Sequence, residues 1–168
     1  MIAHKMSTMD IISMFTRSWP VKLSAITDAL NIKVFRVPLS EDISGKFSRE
    51  MNKDGTAFYT IHVNSKHPFT RQRFTLAHEI AHYVLHRDLI DEGVVDTIMY
   101  RSKELDDYFE VQANQFAADL IMPPELVVKA YEEQKDPEEL AKMFEVSLRA
   151  MEIRLNTLTK VGRIQKAA

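Results

Sequence analysis

The sequence predicts an α+β fold: a small, largely antiparallel three-stranded sheet, long helices after it, and a small C-terminal helical domain of helix-turn-helix-like pattern. Strand-like runs are confined to residues 32–63, and helical periodicity fills most of the chain after Pro68. Strands and helices are therefore segregated rather than alternating. The pair Pro123-Pro124 stops a long helical stretch. It divides the chain into a first domain over residues 1–124 and a helical domain over residues 125–168.

Met9 to Arg17 suits a short helix closed before Pro20, since proline cannot continue one. Val21, Leu23, Ile26 and Leu30 recur at helical spacing. Ile32 to Val37 is rich in β-branched residues and stops at Pro38. Ile43 to Met51 alternates, with Ile43, Phe47 and Met51 on one side and Ser44, Lys46, Ser48 and Glu50 on the other. Thr56 to Val63 places Ala57, Tyr59, Ile61 and Val63 on one face. Between these two runs, Asn52-Lys53-Asp54-Gly55 reads as a hairpin turn, because Asp-Gly supplies the positive φ that such turns need. Pro68 and Thr70 introduce a helix to about Arg87, a loop with Gly93 follows, and a second long helix runs from about Leu105 to Met122. Glu125 to Ala168 is polar and helical, punctuated at Asp136-Pro137. Asp136, Glu138 and Glu139 favour the N-terminus of the helix that follows them. Trp19 is expected to anchor the N-terminal segment.

Composition narrows the function. With 45% apolar and 27% charged residues the chain is an ordinary globular one, not disordered or collagen-like. A net charge of −2 offers no global basic field for nucleic acid. There is no cysteine, which excludes a disulfide framework, an iron–sulfur cluster and a thiolate zinc site. Any metal must be held by His, Asp or Glu. No apolar run approaches the roughly 18 residues of a membrane span, and Lys5, Ser7, Asp10 and Ser13 interrupt the start of the chain. The expectation is a soluble, cytoplasmic protein with no membrane partner.

The sharpest motif is His78-Glu79-Ile80-Ala81-His82. Residues four apart share a helix face, so both imidazoles can reach one ion. Glu79 lies about 100° round from His78, beside that ion, where it can take a proton from a bound water. Phe74, Leu76, Ala77, Ile80, Ala81, Tyr83, Val84 and Leu85 surround the three polar residues, so the helix should be buried. Burying two histidines and a glutamate costs several kcal/mol unless something satisfies them. A cation does so; core histidines bonded to the backbone are the plainer alternative.

A catalytic zinc site needs a third protein ligand. Asp88 lies ten residues after His78, but Leu85 stands where a glycine would let the chain turn back. Glu110 on the second helix shares a side with Ala113, Asn114 and Ala117. Small alanines leave room for a close approach to another helix, and Asn114 could hydrogen-bond to a ligand from behind. Glu110 is the favoured third ligand.

Two stretches resemble a known family. They are Arg73-Phe74-Thr75-Leu76-Ala77-His78-Glu79-Ile80-Ala81-His82-Tyr83-Val84-Leu85-His86 and Glu110-Val111-Gln112-Ala113-Asn114-Gln115-Phe116-Ala117-Ala118-Asp119-Leu120-Ile121-Met122-Pro123. They are similar to the R-F-T-L-A-H-E-(L/I)-(G/A)-H and E-x-E-A-N-x-F-A-A-x-L-(L/I)-M-P stretches of the ImmA/IrrE metallopeptidases. The first matches throughout. The second departs at Gln112, where the family usually has Glu, which again points to Glu110 as the ligand. Val63-Asn64-Ser65 also resembles the family, and the likeness spans roughly residues 20–160. It implies a zinc-dependent endopeptidase with zincin-type, thermolysin-like active-site helices. Family members act in the bacterial cytoplasm or are carried by phages and mobile elements. The resemblance implies a protein substrate, a helix-turn-helix repressor whose cleavage or loss relieves repression.

On this reading Zn²⁺ held by His78, His82 and Glu110 lowers the pKa of its water to about 7. Glu79 accepts the proton and passes it to the leaving amine. A further donor should stabilise the oxyanion; Tyr83, His86, Tyr108 and Arg73 are the candidates. His86 has a second reading, as a helix-end imidazole on the terminal carbonyls. If Thr56 to Val63 is an edge strand, an extended substrate could pair with it.

Two other function classes stand beside the enzyme. Leu140, Ala141, Phe144, Val146, Leu148, Met151, Leu155 and Leu158 read as helix, tight turn, helix, with Glu145 where glycine often makes the turn. Residues 149–168 carry Arg149, Arg154, Lys160, Arg163 and Lys166 against Glu152. Arg149 and Arg154 could meet phosphates, making the chain a DNA-binding regulator. The same helices could instead pack on the catalytic domain or dock the repressor. The remaining class is a non-catalytic regulatory binder of a repressor or toxin. Oligomeric state is not legible.

Overall fold

A computed structural model describes residues 6–91 and 103–165. Two short helices open it, α1 (Thr8–Phe15) and α2 (Leu23–Ala29). Ser7 and Asp10 close a capping box at the start of α1. Three strands follow, β1 (Ile32–Val37), β2 (Gly45–Met51) and β3 (Ala57–Asn64). Then come α3 (Phe69–Asp91), α4 (Lys103–Ile121), α5 (Pro124–Glu133), α6 (Pro137–Phe144) and α7 (Leu148–Lys160). The architecture is α+β. The expected loop at Gly93 lies outside the described residues.

The strand order is β1-β3-β2. The β2–β3 hairpin is antiparallel, with Phe47 opposite Ile61, and Gly55 at its turn has φ 83°. β1 joins the far side of β3 in parallel, Val34 opposite Ile61. The sheet is thus mixed, and β3 is its centre. The condition that Thr56 to Val63 be an edge strand is therefore not met. Thr60, Ile61, Val63 and Asn64 of β3 are all buried, and two of those are polar, so alternation did not reveal the strand's central place. The edge is β2.

Asn64 has no exposed surface. Its amide donates to the carbonyls of Ser40 and Ile43 at 2.9 and 2.8 Å and accepts from the N–H groups of Leu39 and Lys66 at 3.2 and 3.1 Å. All its hydrogen-bonding capacity is used in tying residues 39–43 to the end of β3.

α3 packs on the sheet and on α4. Ala77 and Ala81 of α3 and Ala113 and Ala117 of α4 are fully buried, and such small side chains allow close helix approach. α3 continues past the expected end at Arg87, so His86 is inside the helix. Its reading as a helix-end imidazole is corrected.

One hydrophobic cluster runs from Ile12 through Val63 and Ile80 to Ile164, so α5 to α7 rest on the same core as the sheet. Trp19 stacks on Phe144 of α6 with centroids 5.7 Å apart, the anchor expected of it. Asp136 caps α6, accepting from the Glu138 N–H. Glu145 makes the α6–α7 turn at φ 54°, in the left-handed region, and its carboxylate faces Arg73 at 3.4 Å. Arg154 of α7 is 5% exposed. It donates twice to the Met122 carbonyl, at 2.9 and 2.7 Å, and pairs with Asp119 at 2.7 Å. A guanidinium so committed caps the end of α4; the expectation that Arg154 meets phosphates is corrected. Arg163 pairs with Glu125 at 3.1 Å, and Lys166 lies outside the described residues. Among the described residues no helix is long and apolar enough to cross a membrane.

Candidate metal centre

One turn of α3 separates His78 from His82, and their Nε2 atoms lie 3.0 Å apart. Glu110 arrives from α4 with Oε2 3.2 Å from His78 Nε2 and Oε1 3.1 Å from His82 Nε2. One ligand atom from each of the three lies within 4.8 Å of the others. Donors bonded at about 2 Å around one tetrahedral ion sit roughly 3.3 Å apart, so two imidazoles and a carboxylate at this spacing fit zinc. Asp88 is exposed on α3 beside Arg87 and is not part of the group.

Charge ties the three groups together. Burial pulls the His78 imidazolium down, but Glu110's hydrogen bond and charge outweigh it, and its pKa is raised overall. Hydrogen bonds from His78 and His82 hold Glu110 well below the usual carboxylate range. Asn114 stands one turn beyond Glu110, with Oδ1 3.0 Å from His78 Nδ1. Its oxygen can accept the Nδ1 proton and leave Nε2 bare for a metal.

Glu79 is 8% exposed. Burial pushes its carboxyl above the usual range, against the pull of His78, His82 and a hydrogen bond from the Phe47 backbone N–H. β2 runs close beside it. A Cβ on Gly45 would come within 2.9 Å of Glu79 Oε1 and would clash with Thr75 Cγ2. Glycine inside a strand is a signal of such close approach, and the sequence reading passed over it.

The group opens on a cleft of about 830 Å³ walled by Ile43, Lys46, Phe47, Arg71, Phe74 and Phe109. Of the four residues expected to serve the oxyanion, only His86 lines it. Tyr83 is turned into an aromatic cluster, 5.0 Å from Tyr59 and 6.1 Å from Phe47, and its hydroxyl accepts from Arg87. Arg73 donates to the Val21 carbonyl at 2.6 Å and pairs with Glu145. Tyr108 is exposed, and its hydroxyl accepts from Gln112 at 2.9 Å. None of these three lines the cleft. His86 is 4% exposed, with one ring nitrogen on His82 and the other on Gln112. Gln112 entered the sequence reading only as an unsuitable ligand.

Known proteins resemble this chain. It is 37% identical over 90 residues to the metallopeptidase ImmA of Bacillus subtilis (strain 168), covering 52% of this chain and 50% of that one. A solved structure titled Mycobacterium tuberculosis transcriptional regulator shares the fold at a TM-score of 0.59 and 20% identity. That match covers 93% of this chain and 48% of the other. The chain therefore spans about half the length of each. The family model described as the IrrE N-terminal-like domain, a peptidase family, matches residues 27–156. That is well over half of the sequence, and the chain belongs to the ImmA/IrrE family.

Proposed function

We propose that this chain is a zinc-dependent endopeptidase acting in the cytoplasm on a helix-turn-helix transcriptional repressor, whose cleavage relieves repression. The carrying observation is the convergence of His78, His82 and Glu110 at the floor of an open cleft, with buried Glu79 beside them. Three protein ligands and an open fourth side is the catalytic rather than the structural arrangement. The repressor substrate rests on the family resemblance, and a relative titled as a transcriptional regulator is in keeping with it.

Bound zinc supplies Lewis-acid polarisation of the scissile carbonyl and acidifies the attacking water. Glu79 takes the water's proton and delivers it to the leaving amine. Burial raises the Glu79 pKa, which makes its carboxylate a stronger base toward that proton. Phe47 N–H fixes the orientation of that carboxylate. Asn114 holds His78 with Nε2 toward the ion. The substrate lies extended along the edge of β2, which among the described residues pairs only with β3, with side chains against Phe74 and Phe109.

The test is metal content and repressor cleavage for wild type, Glu79→Gln and Glu110→Ala. Wild type should hold about one zinc per chain and give metal-dependent fragments. Glu110→Ala should lose the zinc, and Glu79→Gln should keep it without cutting. Turnover by Glu79→Gln would sink the general-base role. An intact complex with no fragments would favour the non-catalytic binder.

A further inference from the structure

We infer that His86 and Gln112 form a hydrogen-bond relay that sets the tautomer of His82, so that His82 presents a bare Nε2 to the metal. Both act as positioning residues, and the inference rests on the metal-centre reading above.

His86 follows His82 by one turn of α3. The two Nδ1 atoms lie 3.1 Å apart. One proton can occupy that contact, so one ring donates and the other accepts. The second nitrogen of His86 decides which. His86 Nε2 is 3.2 Å from Gln112 Oε1, while Gln112 Nε2 donates to the Tyr108 hydroxyl at 2.9 Å. With its NH₂ committed to Tyr108, Gln112 offers His86 a carbonyl oxygen. That oxygen only accepts, so His86 carries its proton on Nε2 and leaves Nδ1 bare. The proton between the rings then belongs to His82 Nδ1. His82 Nε2 is left with its lone pair, 3.0 Å from His78 Nε2 and 3.1 Å from Glu110 Oε1.

Packing holds the relay in place. His86 is 4% exposed and meets the Phe109 ring edge-on at 4.8 Å. α4 thus orients both histidines through side-chain amides, Asn114 directly on His78 and Gln112 through His86 on His82.

The experiment reads ring protonation by long-range ¹H–¹⁵N NMR and zinc affinity by chelator competition. The zinc-loaded wild type should show protons on His82 Nδ1 and His86 Nε2. Gln112→Met removes the acceptor and should mix the His86 tautomers and weaken zinc about 10- to 100-fold, the usual cost of losing an outer-shell partner. Gln112→Glu keeps an acceptor and should restore both readings. A proton on His86 Nδ1 overturns the relay, as does Gln112→Met with unchanged tautomers and affinity. Should Gln112→Met fail to fold, the wild-type tautomers decide alone. A protein that takes up no zinc defeats the peptidase reading, and the His86 tautomer in that metal-free protein still decides the relay.

Discussion

Gly45 and Glu79 touch across the gap between β2 and α3: a Cβ on Gly45 would sit 2.9 Å from Glu79 Oε1 and 3.0 Å from the His62 carbonyl oxygen. Gly45→Ala should therefore displace the Glu79 carboxylate and strain the strand by about 1–3 kcal/mol, as overpacking does. Thermal unfolding should show the loss. Repressor cleavage should fall while zinc content stays near wild type, since His78, His82 and Glu110 are not in that contact. Full cleavage by Gly45→Ala would refute the close-approach argument.

Asn64 ties residues 39–43, on the rim of the cleft, to the end of β3. Asn64→Asp replaces two donated hydrogen bonds with a carboxylate facing the carbonyls of Ser40 and Ile43. The expected destabilisation is about 1–3 kcal/mol, read by urea unfolding. Because Ile43 and Lys46 line the cleft, KM for the repressor should rise more than kcat falls.

Arg154→Met keeps the volume of a buried side chain but leaves the Met122 carbonyl without its two donors. Asp119 is half-exposed, so water recovers part of that lost partner. A loss of about 2–3 kcal/mol is expected. Unfolding should remain a single transition if α7 rests on the common core; a separate early transition would contradict that packing.

The metal-free protein should show a specific pH dependence. His78's folded pKa lies above its ordinary 6.5. Its contribution is full below pH 6.5 and is lost as pH rises through the folded value. Glu110's folded pKa lies below its ordinary 4.5, so its contribution is full above pH 4.5 and is lost as pH falls through the folded value. The Tm difference between wild type and Glu110→Gln, both metal-free, should therefore be largest between about pH 4.5 and 6.5. A difference flat across pH would mean that the two groups do not couple. Zinc must displace the His78 proton, so zinc affinity should rise as pH rises through the same range.

The strands, the helices and their turns were largely legible because each depends on neighbours in sequence. Ile32–Val37 is the clearest case, with β-branched residues ended by Pro38. The hairpin followed from Asp54-Gly55 for a backbone reason, the positive φ of Gly55. Glu145 shows the limit of that reasoning. It takes the left-handed turn without being glycine, and its carboxylate finds Arg73, 72 positions earlier in the sequence.

What the sequence determined by itself is chemistry set by one helix period. His78, Glu79 and His82 have to project as they do once α3 forms, and with no cysteine present a metal there can have no thiolate ligand from this chain. Only the tertiary structure decided that β3 is central and β2 the edge beside Glu79. It also committed Arg73 and Tyr83 to partners outside the cleft and set His86 and Gln112 behind His82. The reason is one of range. Helix and strand periods dictate where a side chain points relative to residues a few positions away. Which strand pairs with which, and which side chain on α4 meets which on α3, depends on packing between segments tens of residues apart, and periodicity carries no information about that.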